Sequence, residues 1–215
     1  MDLAAELAAA RENYTRSGLH EEDLASDPFL MFERWYAEAR DAGIVEPNAM
    51  VVSTVSVDGA PSSRTVLLKG FSTEGFTFFT NTASRKGSDL AHNPRCAVLF
   101  PWHPLERQVR IDGLAHELSN EAVEAYFSQR PRGSQLGAHA SHQSRVVSGR
   151  EELEAAYERI EEQFDGQPVP VPEEWGGYRV EPERVEFWQG RPGRMHDRLV
   201  YLREGDKWRT ERLAP

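Results

Sequence analysis

The segment MVVSTVSVDGAPSSRTVLLK, residues 50–69, has the pattern of a β-hairpin. Along residues 51–57 odd and even positions face opposite sides, which is typical of a strand. Asp58-Gly59 then predicts a two-residue turn, and residues 64–69 predict the returning strand. The segment therefore indicates antiparallel β-structure.

Further strands and several helices are predicted on both sides of this hairpin. The strands are expected at residues 76–80, 95–100, 107–117, 178–180, 185–189, 199–203 and 208–213. The helices are expected from Asp27-Pro28 to Gly43, at 84–92, at 120–127 with Asn120 as the cap, and at 150–164. Hairpin-connected strands with no Gly-x-Gly-x-x-Gly turn predict a mainly β (α+β) chain, an antiparallel barrel with peripheral helices.

Composition argues against several classes of protein. The 215 residues carry a formal net charge of −10, which argues against a nucleic-acid-binding surface. A single cysteine, Cys96, excludes an internal disulfide, and His139 and His142 lack further ligands at zinc-like spacing, so no metal is expected. Without a long apolar run or a signal peptide, we expect no membrane association and a cytoplasmic location. Residues 1–20 are expected to form a flexible arm, and residues 21–215 a single domain.

Ser84-Arg85-Lys86 begins a predicted helix and places two cations where the helix dipole favours negative charge. One interpretation is that both side chains extend into water. The other is that backbone N–H groups, Ser84 and the two cations bind an anion such as phosphate. The residues alone leave both interpretations open.

Residues 194–198 form a second basic cluster. If the segment is extended, Arg194, His196 and Arg198 lie on one face, where an anionic ligand would relieve their repulsion. The alternative is an edge strand neutralised by Asp197 or another acid.

Two further groups contain candidate anion ligands. Tyr126, Arg130 and Ser134 could clamp a second phosphate, although arginine is favoured at a helix C-terminus in any case. Arg64 and Lys69 would point to opposite faces of a strand, so only one is expected to line a cavity. Because no arrangement typical of a nucleophile accompanies these clusters, a phosphorylated cofactor is expected to carry the chemistry.

Taken together, these segments resemble the pyridoxamine 5′-phosphate oxidase family. The matching stretches are 64–69 (RTVLLK), 79–81 (FTN), 84–86 (SRK), 106–110 (ERQVR), 126–127 (YF), 130–131 (RP), 141–144 (SHQS), 186–190 (EFWQG), 194–198 (RMHDR) and 211–215 (ERLAP). Order and spacing agree from roughly Arg11 to the last residue. Each motif is weak, but all of them in order are a specific signal.

The resemblance implies an FMN-binding split β-barrel that acts as a homodimer, with each FMN at the subunit interface. The implied FMN contacts are Arg64, Thr65, Val66, Leu67, Leu68, Lys69, Phe79, Thr80, Arg85, Lys86, Gln108, Gln143, Ser144, Trp188 and Arg198. The implied substrate site comprises Lys69, Tyr126, Arg130 and Ser134 at the phosphate, Arg194 and His196 as catalytic residues, and Arg11 and Tyr14 in a covering arm. Phe79 departs from the family, in which tyrosine is common at this position.

The implied activity is FMN-dependent oxidation of pyridoxamine 5′-phosphate and pyridoxine 5′-phosphate by O₂. The products would be pyridoxal 5′-phosphate, hydrogen peroxide and, from the amine, ammonia, in vitamin B6 biosynthesis or salvage. Two phosphates, one from FMN and one from the substrate, would account for separate basic clusters in an acidic protein. The alternatives are a split-barrel flavin oxidoreductase for another substrate and a non-catalytic pyridoxal phosphate carrier.

Overall fold

A computed structural model describes residues 3–9, 14–15 and 18–215. The helices are α1 (Leu3–Ala9), α2 (Pro28–Asp41), α3 (Arg85–His92), α4 (Asn120–Phe127), α5 (Arg132–Ala140) and α6 (Arg150–Gln163). The strands are β1 (Ala49–Val55), β2 (Pro61–Leu67), β3 (Gly70–Ser72), β4 (Gly75–Asn81), β5 (Arg95–Trp102), β6 (Arg107–Glu117), β7 (Trp175–Gln189), β8 (Asp197–Glu204) and β9 (Lys207–Arg212). Their order in the sheet is β2-β1-β5-β6-β7-β4-β3, with β8 pairing with β7 and β9.

The predicted hairpin is confirmed, but the prediction of a two-residue turn is wrong. Strands β1 and β2 pair antiparallel up to Val55 opposite Pro61, which leaves a five-residue loop from Ser56 to Ala60. The Ser56 amide donates to the Ala60 carbonyl at 3.0 Å, and the Ser56 hydroxyl accepts from the Ala60 amide at 3.1 Å. These bonds stabilise the wider loop, in which Gly59 has a φ of 83°.

The chain forms two compact units that interleave in sequence. The first unit is Met1–Pro47, Leu99–Ile111 and Glu183–Pro215, and the second unit is Asn48–Val98 and Asp112–Pro182. The expected division into an arm at residues 1–20 and a single domain at 21–215 remains a prediction.

In the first unit, α2 packs its apolar face into an aromatic core. Asp27 caps the helix by accepting from two backbone amides, and Pro28 occupies its first turn, as predicted. Phe32 and Trp35 are almost completely buried. The Phe32 ring lies 4.9 Å from that of Phe100 between centroids, and Trp35 lies 5.1 Å from Phe187. Burial of these rings accounts for the position of α2.

In the second unit, two predictions about helices need correction. Ser119, not Asn120, is the N-cap of α4, because its side chain accepts from the Ala122 amide. No helix was among those predicted within residues 130–145, but α5 lies there, with Leu136 buried beside Phe127. The signal was weak because Leu136 is the only buried residue of this short polar helix.

Strand β7 is also longer than expected. Two separate strands were predicted around a polar segment with Pro182, whereas the backbone is extended from Trp175 to Gln189. Proline is compatible with extended backbone, since its φ is near −65°, although it lacks an amide donor.

Within the described residues, no helix is long and apolar enough to cross a bilayer.

Candidate functional site

The second unit contains a cavity of about 460 Å³ with several basic side chains in its wall. It is lined by Arg64, Thr65, Val66, Leu67, Lys69, Phe79, Thr80, Lys86, Tyr126, Arg130, Gln143 and Trp175. All of these except Trp175 were expected to bind a phosphorylated cofactor or substrate. The structure thus brings together half of the candidate site residues, which lie in separate motifs of the sequence.

Lys86 is a buried cation in the first turn of α3. Its side chain is only 7% exposed, and its Nζ donates to Gln143 Oε1 at 2.6 Å, Thr80 Oγ1 at 3.0 Å and Ser84 Oγ at 3.1 Å. No carboxylate forms an ion pair with Lys86 in the part of the chain that is described. Burial, with a smaller effect from Arg64, lowers the pKa of Lys86 to about 8. Such a buried charge favours an anionic ligand.

The start of α3 is closely packed against the preceding loop. Ser84 caps the helix by accepting from the Gly87 amide. A Cβ at Gly87 would lie 2.0 Å from the Thr82 carbonyl oxygen, so only glycine permits this approach. Arg85 is exposed and does not line the cavity, but its amide donates to Ser144 Oγ at 3.2 Å. The loop before α6 therefore lies against the α3 N-terminus.

Arg64 and Lys69 both line the cavity, so the expectation that only one of them would do so is wrong. The reason is that β2 ends at Leu67, and Lys69 follows the strand, its amide donating to the Thr77 carbonyl at 2.8 Å. Strand alternation therefore does not apply to both residues. Leu68, expected to contact FMN, is not part of the lining.

Arg64 is held in place from two sides. Its guanidinium donates to the Val52 carbonyl at 3.1 Å and to Thr54 Oγ1 at 2.8 Å. The buried Asp89 carboxylate lies 4.0 Å from the guanidinium and accepts from the Thr54 hydroxyl at 2.6 Å. Burial lowers the pKa of Arg64, although Asp89 opposes this effect.

Aromatic rings form the other wall of the cavity. The rings of Phe79 and Tyr126 stack with centroids 3.8 Å apart and planes 9° from parallel. The Arg130 guanidinium lies 4.1 Å from the centroid of Trp175. Ser134, expected at the same phosphate as Arg130, is exposed on α5 and does not line the cavity.

The first unit contains a separate aromatic cluster. Tyr14 lies 5.9 Å from Trp188 and 5.6 Å from His196, whose rings are 4.6 Å apart. His196 Nδ1 accepts from the Arg191 amide at 3.1 Å. Burial, with a smaller effect from Arg194, lowers the pKa of His196, which favours neutral imidazole. Arg11, expected to act with Tyr14, lies outside the described residues.

The expectation that Arg194, His196 and Arg198 share one strand face is wrong. Arg194 ends a short 3₁₀ helix, Pro192–Arg194, and has a φ of 63°, whereas β8 begins only at Asp197. The preceding Pro-Gly pair ends the extended backbone, so strand alternation does not hold here.

Arg198 is neutralised by an acid, but not by its neighbour Asp197. Its guanidinium forms two hydrogen bonds with Glu186, at 2.8 and 3.1 Å, and donates to the Ala214 carbonyl at 3.0 Å. Glu186 is 1% exposed and also lies 2.8 Å from Arg184. Gln108, another expected cofactor residue, is half-buried on β6.

The roles of Trp175 and Glu186 were not predicted from the sequence. Trp175 belongs to no quoted motif, and its place in the cavity depends on contact with Arg130, 45 positions earlier by residue number. Glu186 lies within a matching stretch, and its position directly opposite Val200 in the β7–β8 register was not predictable before the strands were paired. A carboxylate at a buried strand position was the available signal.

Comparisons with known proteins agree along most of the chain. Residues 37–164 match the family described as pyridoxamine 5′-phosphate oxidase, and residues 175–215 match the pyridoxine 5′-phosphate oxidase C-terminal dimerisation region. A Nocardioides protein named pyridoxine/pyridoxamine 5′-phosphate oxidase is 66% identical over 98% of both chains. A protein of the same name from Rubrobacter xylanophilus is 56% identical over 98% of this chain and 97% of its own.

Two solved structures share the fold. PhzG from Burkholderia lata 383, in complex with tetrahydrophenazine-1-carboxylic acid, has 33% identity and a TM-score of 0.85, covering 90% of this chain and 95% of its own. A pyridoxamine 5′-phosphate oxidase-related, FMN-binding protein from Nostoc punctiforme has 19% identity and a TM-score of 0.70, covering 89% and 98%. The expected fold class, a mainly β split barrel with peripheral helices, is confirmed. The chain belongs to the pyridoxamine 5′-phosphate oxidase family of oxidoreductases.

Proposed function

We propose that this protein is an FMN-dependent oxidase that converts pyridoxamine 5′-phosphate and pyridoxine 5′-phosphate to pyridoxal 5′-phosphate. The observation that carries the proposal is a cavity with two differently built cationic groups in its wall, around Lys86 and around Arg130. In a chain of net charge −10, such groups are best explained by two phosphates.

The phosphate of FMN is assigned to the N-terminus of α3. Lys86 is buried there among neutral acceptors, and the Thr80 hydroxyl and the Gln143 amide surround its ammonium. Arg85 and Ser144 lie beside the same helix end, where backbone N–H groups and the dipole favour an anion. These residues fit a phosphate, because a buried cation without a carboxylate gains most from an anionic partner.

The other expected FMN residues are assigned by the same proposal. In the second unit they are Arg64, Thr65, Val66, Leu67, Leu68, Lys69 and Phe79. In the first unit they are Gln108, Trp188 and Arg198. Bound at these residues, FMN would supply the redox chemistry, namely removal of a hydride equivalent from the substrate carbon with O₂ as the final acceptor and hydrogen peroxide as a product.

The substrate phosphate is assigned to Lys69, Tyr126 and Arg130, with Ser134 as a further candidate on α5. Burial lowers the pKa of Arg130 and raises that of Tyr126. The Tyr126 hydroxyl is therefore held in its neutral form, in which it donates a hydrogen bond to a phosphate oxygen.

Arg194 and His196 are assigned to the reacting end of the substrate, with Tyr14 and Arg11 in a covering arm. Neutral His196 can hydrogen-bond a substrate without adding a charge, whereas Arg194 is exposed and carries a fixed one. The protein is proposed to act as a homodimer with FMN at the subunit interface, which the match of residues 175–215 to a dimerisation region supports.

A second candidate is a flavin oxidoreductase for a different substrate. This candidate is supported by the similarity to PhzG, which has a TM-score of 0.85 and whose structure contains tetrahydrophenazine-1-carboxylic acid. Arg130 and Lys69 favour the phosphorylated vitamers, since a ligand without phosphate leaves both cations unpaired in the cavity.

The experiment is oxygen uptake by FMN-loaded protein given either phosphorylated vitamer, with pyridoxal 5′-phosphate followed by absorbance. Uptake matched by product would support the oxidase, and unphosphorylated pyridoxine serves as the control. FMN binding without oxygen uptake would favour the second candidate. Tight binding of pyridoxal 5′-phosphate without turnover would instead favour a non-catalytic carrier.

A further inference from the structure

Aromatic rings hold the guanidinium of Arg130. Its central carbon lies 4.1 Å from the centroid of Trp175 and 5.4 Å from that of Phe127. The two rings contact each other in a T-shaped arrangement with centroids 5.9 Å apart. A ring face attracts a cation through its quadrupole, so Arg130 is oriented by two side chains that carry no charge.

This arrangement differs from that of Arg198, which forms two hydrogen bonds with a carboxylate of Glu186. Within the described residues no carboxylate pairs with Arg130, and its Nη1 has no hydrogen-bond acceptor. A carboxylate partner would occupy the N–H groups that a phosphate needs, and it would repel the phosphate. Aromatic faces orient the guanidinium and leave Nη1 unoccupied.

Trp175 also ties the guanidinium to the protein interior. Its ring packs against the apolar cluster of Phe127, Leu136 and Val169. Strand pairing positions its backbone, because Trp175 lies opposite Asn81 where β7 meets β4. The ring is therefore held from behind while it lines the cavity beside Arg130.

We infer that Trp175 is a positioning residue that holds Arg130 for the phosphate monoester of the substrate, so that the protein selects phosphorylated over unphosphorylated ligands. This inference rests on the proposed function. It assigns the selectivity to a cation–π contact, and Trp175 acts through Arg130 without itself contacting the reacting atoms.

The test is a double-mutant cycle on FMN-loaded protein, with calorimetric affinities for pyridoxal 5′-phosphate and for unphosphorylated pyridoxal. Trp175→Leu should weaken binding of the phosphate ester about tenfold, and Trp175→Phe about threefold, because a phenyl ring attracts cations less strongly. Affinity for pyridoxal should stay within about twofold. In the Arg130→Ala background, Trp175→Leu should weaken the phosphate ester less than about twofold further.

The control is Trp208→Leu, which removes a half-buried tryptophan of the first unit. If Trp175→Leu does not fold, the same double-mutant cycle with Trp175→Phe tests the inference. Equal losses for both ligands, or an undiminished loss in the Arg130→Ala background, would overturn the inference while the wild-type protein still turns over phosphorylated vitamers. If the wild-type protein failed to bind pyridoxal 5′-phosphate, both the inference and the proposed function would fail.

Discussion

The Nζ of Lys86 donates a 2.6 Å hydrogen bond to Oε1 of Gln143, 57 residues further along the chain. This bond joins the first turn of α3 to the loop before α6, and it lies in the wall of the cavity. A buried ammonium held by neutral acceptors has no local compensation for its charge. We therefore assign it to the phosphate of the cofactor.

Lys86→Met should weaken FMN binding while the fold is retained. Loss of a charge-assisted hydrogen bond costs about 1.5–3 kcal/mol, or roughly 10- to 150-fold in dissociation constant. Fluorescence titration of the ligand-free protein with FMN measures the change. Lys207→Met, at an exposed position on β9, is the matched control and should bind FMN normally. Unchanged affinity in Lys86→Met would remove the cofactor phosphate from α3.

FMN affinity should fall as the pH rises through about 8, the lowered pKa of Lys86. A phosphate binds the protonated ammonium, so the loss approaches about tenfold per pH unit for one proton. Titrations from pH 7 to 9.5 would show this slope, and Lys86→Met should be flatter. An equal slope in both proteins would assign the effect to another group.

Stability of the ligand-free protein should have the opposite pH dependence at this site. The folded pKa of Lys86, about 8, lies below its ordinary value of 10.5, so the folded state binds fewer protons between these two values. The contribution of Lys86 to the free energy of unfolding therefore rises with pH across that window. Urea unfolding at pH 8 and 10, compared with Lys86→Met, measures it.

Arg130→Ala and Arg85→Ala should have opposite selectivity. Removal of Arg130 should weaken pyridoxal 5′-phosphate binding by about 1.5–3 kcal/mol and change FMN binding little, because its charge serves the substrate phosphate. Arg85→Ala should weaken FMN binding more than substrate binding. Calorimetry with each ligand separates the two effects. Parallel losses of both ligands in either variant would be incompatible with two phosphate sites.

Glu186→Ala should destabilise the first unit. The carboxylate is 1% exposed and pairs with Arg198 and Arg184, whose side chains are each 25% exposed, so its removal takes a charged acceptor from two partly buried guanidinium groups, at about 1–3 kcal/mol. Urea unfolding at pH 7 measures this loss. Glu154→Ala, which breaks an exposed pair with Arg150, should cost only about 0.5 kcal/mol. Similar costs for the two variants would contradict the assignment of a buried charge network.

The stabilisation that Glu186 provides should also depend on pH. Burial alone would raise the pKa of Glu186, but the hydrogen bond and charge of Arg198, with the nearby arginines, hold it below its ordinary value of 4.5. The stabilisation is therefore fully present above pH 4.5 and is lost as the pH falls through the folded pKa. The difference in unfolding free energy between wild-type protein and Glu186→Ala should shrink under acid conditions.

Local patterns predicted the elements of this fold better than their ends. Asp27-Pro28 and Ser84 begin helices as expected, because caps and first-turn prolines act through neighbouring backbone groups. The short polar helix α5 was missed, since its stability depends on one buried contact, that of Leu136. Strand alternation failed for Lys69 and Arg194, which lie just outside regular strands.

The candidate site was predictable where it depended on motifs. Lys86 and Gln143 lie in separate matching stretches, and the structure brings them into contact. Trp175 was not predictable, because its role depends on packing against Arg130 and not on sequence neighbours. Resemblance thus predicted the cavity residues other than Trp175, while three-dimensional contacts show how Lys86 and Arg130 are held.

The most direct test is whether FMN and pyridoxal 5′-phosphate occupy the protein together. FMN-loaded protein would be titrated with pyridoxal 5′-phosphate while released flavin is measured by its fluorescence after rapid filtration. Two phosphate sites predict that pyridoxal 5′-phosphate binds to saturation while FMN stays bound. Release of FMN in proportion to the pyridoxal 5′-phosphate bound would show competition for one site and would contradict the account.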